Sequence, residues 1–381
     1  MAKTGPTRLA DRVFAFDSSG IRKVFDLAQQ LEAPIDLSIG QPDFDVPEAL
    51  KAEAKRWLDA GFNKYTVTQG IAELRERVRA KYEAQGLDVG ETIITSGVSG
   101  GIVLALLALV NPGDEVLVPD PYFVMYKHLT NLIGGVPRMV DVYPDFVLTA
   151  EAVEAAVTPK ARVLFVNSPA NPTGAVLDEA GARAIAAVAE RHDLVIVFDE
   201  IYECFQYDSA PVSIARFWPK TVILNGLSKS HAMTGWRLGW AVGPADIVRE
   251  MIKVQQYSFV CAPSFVQKAA VKAFDEPTDA ARDAYRRKRD LVYEGLKDRF
   301  NVVKPGGAFY VFPEAPGGDG AAFAELAVRN NVLVVPGNVF SDRNTHFRIS
   351  FAAPDETLRR GIEVLNSLAG EIRDRHLFPE K

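Results

Sequence analysis

The sequence predicts an α/β fold followed by a smaller α+β lobe, and two observations carry that prediction. Seven short apolar runs, at residues 92–95, 115–119, 137–142, 162–166, 194–198, 221–224 and 238–242, recur between longer stretches of helical periodicity, an α/β order. After about residue 285 the pattern becomes a helix, three short strand-like runs around 309–312, 332–335 and 347–351, and a closing helix. The helices are amphipathic: Ile71, Leu74 and Val78 share one face, and Glu73 and Arg77 are spaced to pair on the other. The block 102–110 is the longest apolar stretch and reads as a buried helix, far short of the roughly 20 residues a membrane span needs.

Composition bounds the function. A chain of 381 residues, 48% hydrophobic and 24% charged, can bury a large core, and a formal net charge of −6 disfavours a nucleic-acid or anionic-membrane surface. The basic run Arg286-Arg287-Lys288-Arg289 lies in a charge-rich helical stretch and reads as a solvated helix face. Two cysteines, Cys204 and Cys261, are too few for a disulfide framework. Five histidines show no metal-ligand spacing, so no metal is expected. Residues 1–16 lack the apolar core of an export signal, and the cytoplasm is the expected location.

The chemistry concentrates at Lys229. It follows the apolar run 221–224 and precedes a Gly-rich turn ending in Arg237. A lysine at the end of a buried strand has little water around it, so the neutral amine is favoured and can attack a carbonyl to form a Schiff base. Pyridoxal 5'-phosphate is the obvious aldehyde, and its other handles can be sought in turn. Asp199 ends the run 194–198 and suits a pyridinium nitrogen, although alone it would read as a helix cap. Asn171 sits in Asn167-Ser168-Pro169-Ala170-Asn171-Pro172-Thr173-Gly174, directly after the apolar run 163–166, a segment that alone reads as a turn. Asn171 and Tyr202 are candidates to donate to the ring oxygen. Thr95-Ser96-Gly97-Val98-Ser99-Gly100-Gly101 opens an apolar helix and suits a phosphate, with Arg237 adding a bidentate contact.

Set in order, these segments resemble the class I/II aminotransferases of the fold-type I pyridoxal phosphate superfamily. The set comprises residues 36–44 (DLSIGQPDF), Lys64-Tyr65-Thr66 with Gly70, the Gly97 loop, Asp120-Pro121-Tyr122-Phe123, Asn171-Pro172-Thr173-Gly174, Asp199-Glu200-Ile201-Tyr202, Ser228-Lys229 through Arg237, and Phe347-Arg348-Ile349-Ser350. The resemblance begins near Ile21, in the segment 19–28. It implies a large domain with a mostly parallel seven-stranded sheet at 46–284, a small domain at 285–381, and an N-terminal arm with part of the small domain at 1–45.

It also implies roles. Lys229 forms the internal aldimine and shuttles the proton, Asp199 pairs with the pyridinium, Asn171 and Tyr202 contact the ring oxygen, and Phe123 stacks on the ring. The amides of Val98 and Ser99, Arg237, and Tyr65 from the second subunit of a homodimer hold the phosphate. Arg348 takes the substrate α-carboxylate, with the backbone at Gly40 closing over it and Asn171 nearby. The implied reaction moves an amino group from an L-amino acid to a 2-oxo acid. Two departures stand out: Ser99 replaces a lysine that bacterial aspartate-type members use for a distal carboxylate, and Gly226 replaces a phosphate-binding serine. The same residues would serve a pyridoxal-dependent C–S β-lyase on this scaffold, and a non-catalytic sensor domain is a remoter alternative.

Overall fold

The structure, a computed structural model, describes residues 9–14 and 31–375. The segment 19–28 and His376 lie outside the described residues. The strands are β1 (Ile35–Asp36), β2 (Glu91–Thr95), β3 (Glu115–Asp120), β4 (Val136–Asp141), β5 (Ala161–Asn167), β6 (Val195–Asp199), β7 (Thr221–Gly226), β8 (Gly239–Gly243), β9 (Tyr310–Val311), β10 (Val332–Leu333), β11 (Val335–Pro336) and β12 (Phe347–Ser350). Each of the seven expected runs is a strand of one sheet, in the order β2-β8-β7-β6-β5-β3-β4. The strand β8 runs antiparallel to both neighbours, and the pairs β3/β4, β3/β5, β5/β6 and β6/β7 are parallel. Helices cover both faces, which is why Val163, Leu164 and Phe165 form an unbroken apolar run with no exposed surface.

The register places the ends of neighbouring strands side by side. Asn167 is the Cα partner of Asp199, and Asp199 that of Leu224, so the carboxyl ends of β5, β6 and β7 converge on one edge. Ligands of open α/β sheets bind at such edges. The helix over this edge, Gly97–Leu109, begins at the glycine loop itself, earlier than the expected start at residue 102. Its first turn is glycine-rich and reads as a loop from propensity. Close approach bears on two of them: a Cβ on Gly101 would stand 2.9 Å from Leu224 Cδ2, and one on Gly97, at φ 71°, 2.8 Å from Arg237 Nη2.

The smaller lobe contains β11-β12-β9 as an antiparallel sheet and a parallel pair β1/β10. The expected single run at 332–335 is therefore divided between two sheets. Ile35 and Leu37 join Val292, Leu296, Phe309 and Phe347 in one core, to which Tyr202 and Phe205 also belong. The N-terminal segment is thus bound to the C-terminal lobe, and the residues following Asp199 enter the same core.

Two charge readings are corrected. Glu73 pairs with Lys268 and Arg77 with Asp275 rather than with each other, because the helix Ala72–Glu83 has neighbours within reach. Arg289 is not on a solvated face: it is 2% exposed, pairs with Asp208 and Asp290, and donates to the Pro305 carbonyl at 3.1 Å. The helix Asp279–Leu296 turns Tyr285, Arg289, Val292 and Leu296 to the core, a spacing a basic run conceals. Arg289→Ala should cost about 2 kcal/mol through lost packing and hydrogen bonds. Its exposed neighbour Arg287→Ala should lie within about 0.5 kcal/mol of wild type, and denaturant midpoints of the two variants check the contrast.

Candidate active site

Lys229 lies just beyond β7, where the strand leaves the sheet edge. Its Nζ donates to the Gly40 carbonyl at 2.6 Å and stands 5.7 and 5.9 Å from the Tyr202 and Phe309 ring centroids. Burial pushes the amine down to about 8, with the Arg348 and Arg237 charges adding to the effect and Asp199 opposing it. Asp199, 2% exposed, accepts from the Tyr126 hydroxyl at 2.8 Å and from the Ile201 N–H at 3.1 Å. Burial raises its carboxyl to about 6 against those bonds and the Lys229 charge.

Arg348 is 1% exposed. It donates to the Ser38 carbonyl at 2.7 Å and to Asn171 Oδ1 at 3.1 Å, while its Nε has no partner. Its Cζ lies 4.5 and 4.7 Å from the Tyr310 and Phe340 ring centroids. Among the described residues no carboxylate forms an ion pair with it. A buried cation without an anion is costly unless a ligand brings the opposite charge, so this position is suited to an incoming carboxylate. Asn171 is fixed in turn, its N–H donating to Asn167 Oδ1 at 2.9 Å.

The first turn of the helix Gly97–Leu109 presents the amides of Gly97, Val98 and Ser99, which have no intrahelical acceptor. The dipole there favours an anion. Arg237, at φ 55°, donates Nη1 to the Thr234 carbonyl at 2.9 Å and packs over Gly97, where a Cβ would come within 2.8 Å of Nη2. Gly226 has a steric reason: a side chain there would meet Gly239 Cα and the Leu238 carbonyl at 2.9 Å, so no serine fits against β8. Phe123 stands edge-on to Tyr126, with centroids 5.6 Å apart.

A single cavity of about 390 Å³ is lined by Gly40, Val98, Ser99, Phe123, Asn171, Asp199, Tyr202, Lys229, Arg237 and Arg348. Of the residues singled out in the sequence, Tyr65 is not among them; it is 84% exposed on the surface. Sequence reasoning missed Tyr126, which fixes Asp199, and Tyr310, whose hydroxyl is 2.9 Å from that of Tyr202. Both lie among apolar neighbours and read as core aromatics. It also missed the Ser38 carbonyl, since backbone acceptors leave no sequence signal.

The family model described as "Aminotransferase class I and II" matches residues 32–365. The chain is 39% identical to a probable aspartate aminotransferase of Methanocaldococcus jannaschii, over 92% of this chain and 96% of that one. It is 40% identical to aromatic-amino-acid aminotransferase 2 of Thermococcus litoralis, over 95% and 98%. The solved structure of aspartate aminotransferase from Thermus thermophilus with maleate superposes with a TM-score of 0.91 at 38% identity, covering 95% of this chain and all of that one.

The lowered lysine gives a signed pH dependence. Between about 8 and the ordinary 10.5, the unfolded chain binds a proton at this position that the folded chain does not. Stability of the cofactor-free protein therefore gains from Lys229 as pH rises through this window. Relative to Lys229→Met, the wild type should gain roughly 2 kcal/mol from pH 8 to pH 10.5, read as the difference in denaturant midpoints.

Proposed function

The chain belongs to the class I and II aminotransferases, and on that premise we propose that the cavity around Lys229 is its active site, with each residue in a defined role. The protein is a pyridoxal-phosphate-dependent aminotransferase, transferring an amino group from an amino acid to a 2-oxo acid. The observation that carries the site assignment is the meeting in one cavity of Lys229, Asp199 and Arg348, which has no carboxylate partner among the described residues.

The residues fit the cofactor on structural grounds. The buried amine is depressed to about 8 and the nearby carboxyl raised to about 6. The helix terminus has unspent amides, and the glycine beside Arg237 leaves room where a Cβ would crowd the guanidinium. Bound there, pyridoxal phosphate supplies an electron-withdrawing ring that takes up the charge left when a proton departs from the substrate Cα.

The chain's own groups do the rest. Arg348 grips the substrate α-carboxylate through its planar fork, with Gly40 and Asn171 alongside, and so fixes Cα relative to the lysine. Lys229 would take the Cα proton and deliver it to C4′ of the cofactor. Asp199, oriented by Tyr126, holds the proton at the pyridinium nitrogen. Tyr202 and the Asn171 amide nitrogen donate to the ring oxygen. Val98, Ser99 and Arg237 hold the phosphate, and Phe123 covers the ring. Tyr65 reaches the phosphate site of a second copy, which makes the working unit a homodimer and gives an exposed tyrosine a role. The same reading assigns an N-terminal arm with part of the small domain to 1–45, a large domain to 46–284 and a small domain to 285–381. It also assigns the protein to the cytoplasm; among the described residues no helix is long and apolar enough to cross a membrane.

Ser99 bears on the substrate. Among the described residues of one copy, the cationic side chains lining the cavity are Lys229, Arg237 and Arg348, and in this reading they serve the proton, the phosphate and the α-carboxylate. With Ser99 in place of a lysine, none of these three is left for a side-chain carboxylate, which favours neutral amino donors; glutamate and 2-oxoglutarate remain partners that another arginine or water would have to accommodate.

The test adds single amino acids to the cofactor-loaded protein without a keto acid and follows the visible spectrum. A neutral donor should convert the cofactor to its amino form, a keto acid should restore it, and Lys229→Ala should slow the conversion on the order of 10³-fold or more. Pyruvate release with an unconverted band would overturn the assignment in favour of elimination chemistry. Ser99→Lys should improve the ratio of aspartate to neutral-donor kcat/KM by roughly tenfold, about the effect of one well-placed charge contact.

A further inference from the structure

We propose that Tyr310 is a positioning residue that joins the carboxylate-binding arginine to the tyrosine at the cofactor's ring oxygen, so that the two halves of the active site are held as one unit. The inference rests on the site assignment above and adds a residue to it.

Tyr310 lies on β9, 1% exposed, and touches three parts of the site. Its hydroxyl is 2.9 Å from that of Tyr202. Its ring lies under the Arg348 guanidinium, with Cζ 4.5 Å from the centroid. The hydroxyl also stands 3.0 Å from the point that a Cβ on Gly40 would occupy, and the Gly40 carbonyl is the acceptor of Lys229 Nζ.

The direction of the hydroxyl pair follows from proton counting. Tyr202 has one proton to donate. If that proton goes to the ring oxygen, the Tyr202 oxygen is free to accept, and Tyr310 is the donor within reach. Each bond in such a chain polarises the next, so Tyr310 makes Tyr202 a stronger donor. A stronger bond to the ring oxygen favours its anionic form. The Tyr310 ring acts elsewhere. Among the described residues Arg348 has no carboxylate partner, and the aromatic face helps to fix its guanidinium in a low-dielectric setting. One residue thus carries two separable functions, the hydroxyl acting towards Tyr202 and the ring towards Arg348.

The alternative is that Tyr310 is only a core aromatic, beside Phe309 at 4.8 Å between centroids. Two variants separate the readings. Tyr310→Phe keeps the ring and the packing. In the cofactor-loaded protein, the pH midpoint of the visible band should rise by roughly half a unit as the ring oxygen loses support. The amino acid KM and the calorimetric Kd for phenylpropionate, a non-reacting carboxylate, should stay within about twofold of wild type. Tyr310→Leu removes the ring, and both KM and that Kd should rise on the order of tenfold.

A Tyr310→Phe protein whose band titrates as wild type overturns the inference, as does a folded Tyr310→Leu protein that binds phenylpropionate normally. If the leucine variant does not fold, the spectral titration of the phenylalanine variant decides. A wild type that shows no visible band removes the site assignment and this inference with it, whereas a band present but unmoved removes this inference alone.

Discussion

Charge imbalance in an enclosed space governs this structure. Among the described residues, the cavity gathers Lys229 and the buried Arg348, with the more exposed Arg237 at its edge, against the carboxylate of Asp199. In low dielectric such an arrangement is costly, and it persists only where the fold holds it or a ligand balances it. Each group answers differently. Lys229 moves towards its neutral form, Asp199 towards its protonated form, and Arg348, which cannot shed its proton at accessible pH, is left to await an anion. The shift of the lysine favours its neutral amine, the form that can accept a proton.

The rest of the architecture can be understood as the means of holding that imbalance. The parallel register of β5, β6 and β7 sets Asn167 beside Asp199 at one edge of the sheet, and Lys229 follows β7. Each strand is buried on both faces, so it cannot slip without moving its whole apolar set. Across the cavity, Arg348 arrives on β12, and Ser38 and Gly40 follow β1. Their positions depend on the second core, in which Ile35 and Leu37 pack with the C-terminal lobe. Tyr202, Tyr310 and Asn171 stand where these supports meet, which is why they share hydrogen bonds or ring contacts with groups from both.

Much of this was legible in the sequence. The strand-like runs, the helical periodicity of residues 71–78 and the strand-end placement of Asn171, Asp199 and Lys229 followed from local patterns and the motifs between them. Misreadings occurred where a local rule met a distant neighbour. Glu73 and Arg77 have helix spacing for each other, yet Lys268 and Asp275 lie closer in the fold. Arg289 sits in a basic run, yet its helix turns it inward against Asp208. The glycine-rich start of the helix Gly97–Leu109 reads as a loop, because intrinsic propensity takes no account of the close packing of this turn against Leu224 and Arg237.

The sequence by itself determined most of the elements and the candidate site side chains, because hydrophobic periodicity and residue chemistry are properties of a short stretch of chain. Only the tertiary structure decided that Tyr126 braces Asp199, that Tyr310 stands between Tyr202 and Arg348, and that Arg348 has no carboxylate partner in the described fold. The bonds that carry these relations join residues far apart in the chain: Tyr126 and Asp199 are 73 positions apart, Tyr202 and Tyr310 108, and Asn171 and Arg348 177. Their strength comes from exclusion of water, and water is excluded only where segments distant in the sequence pack together around the site.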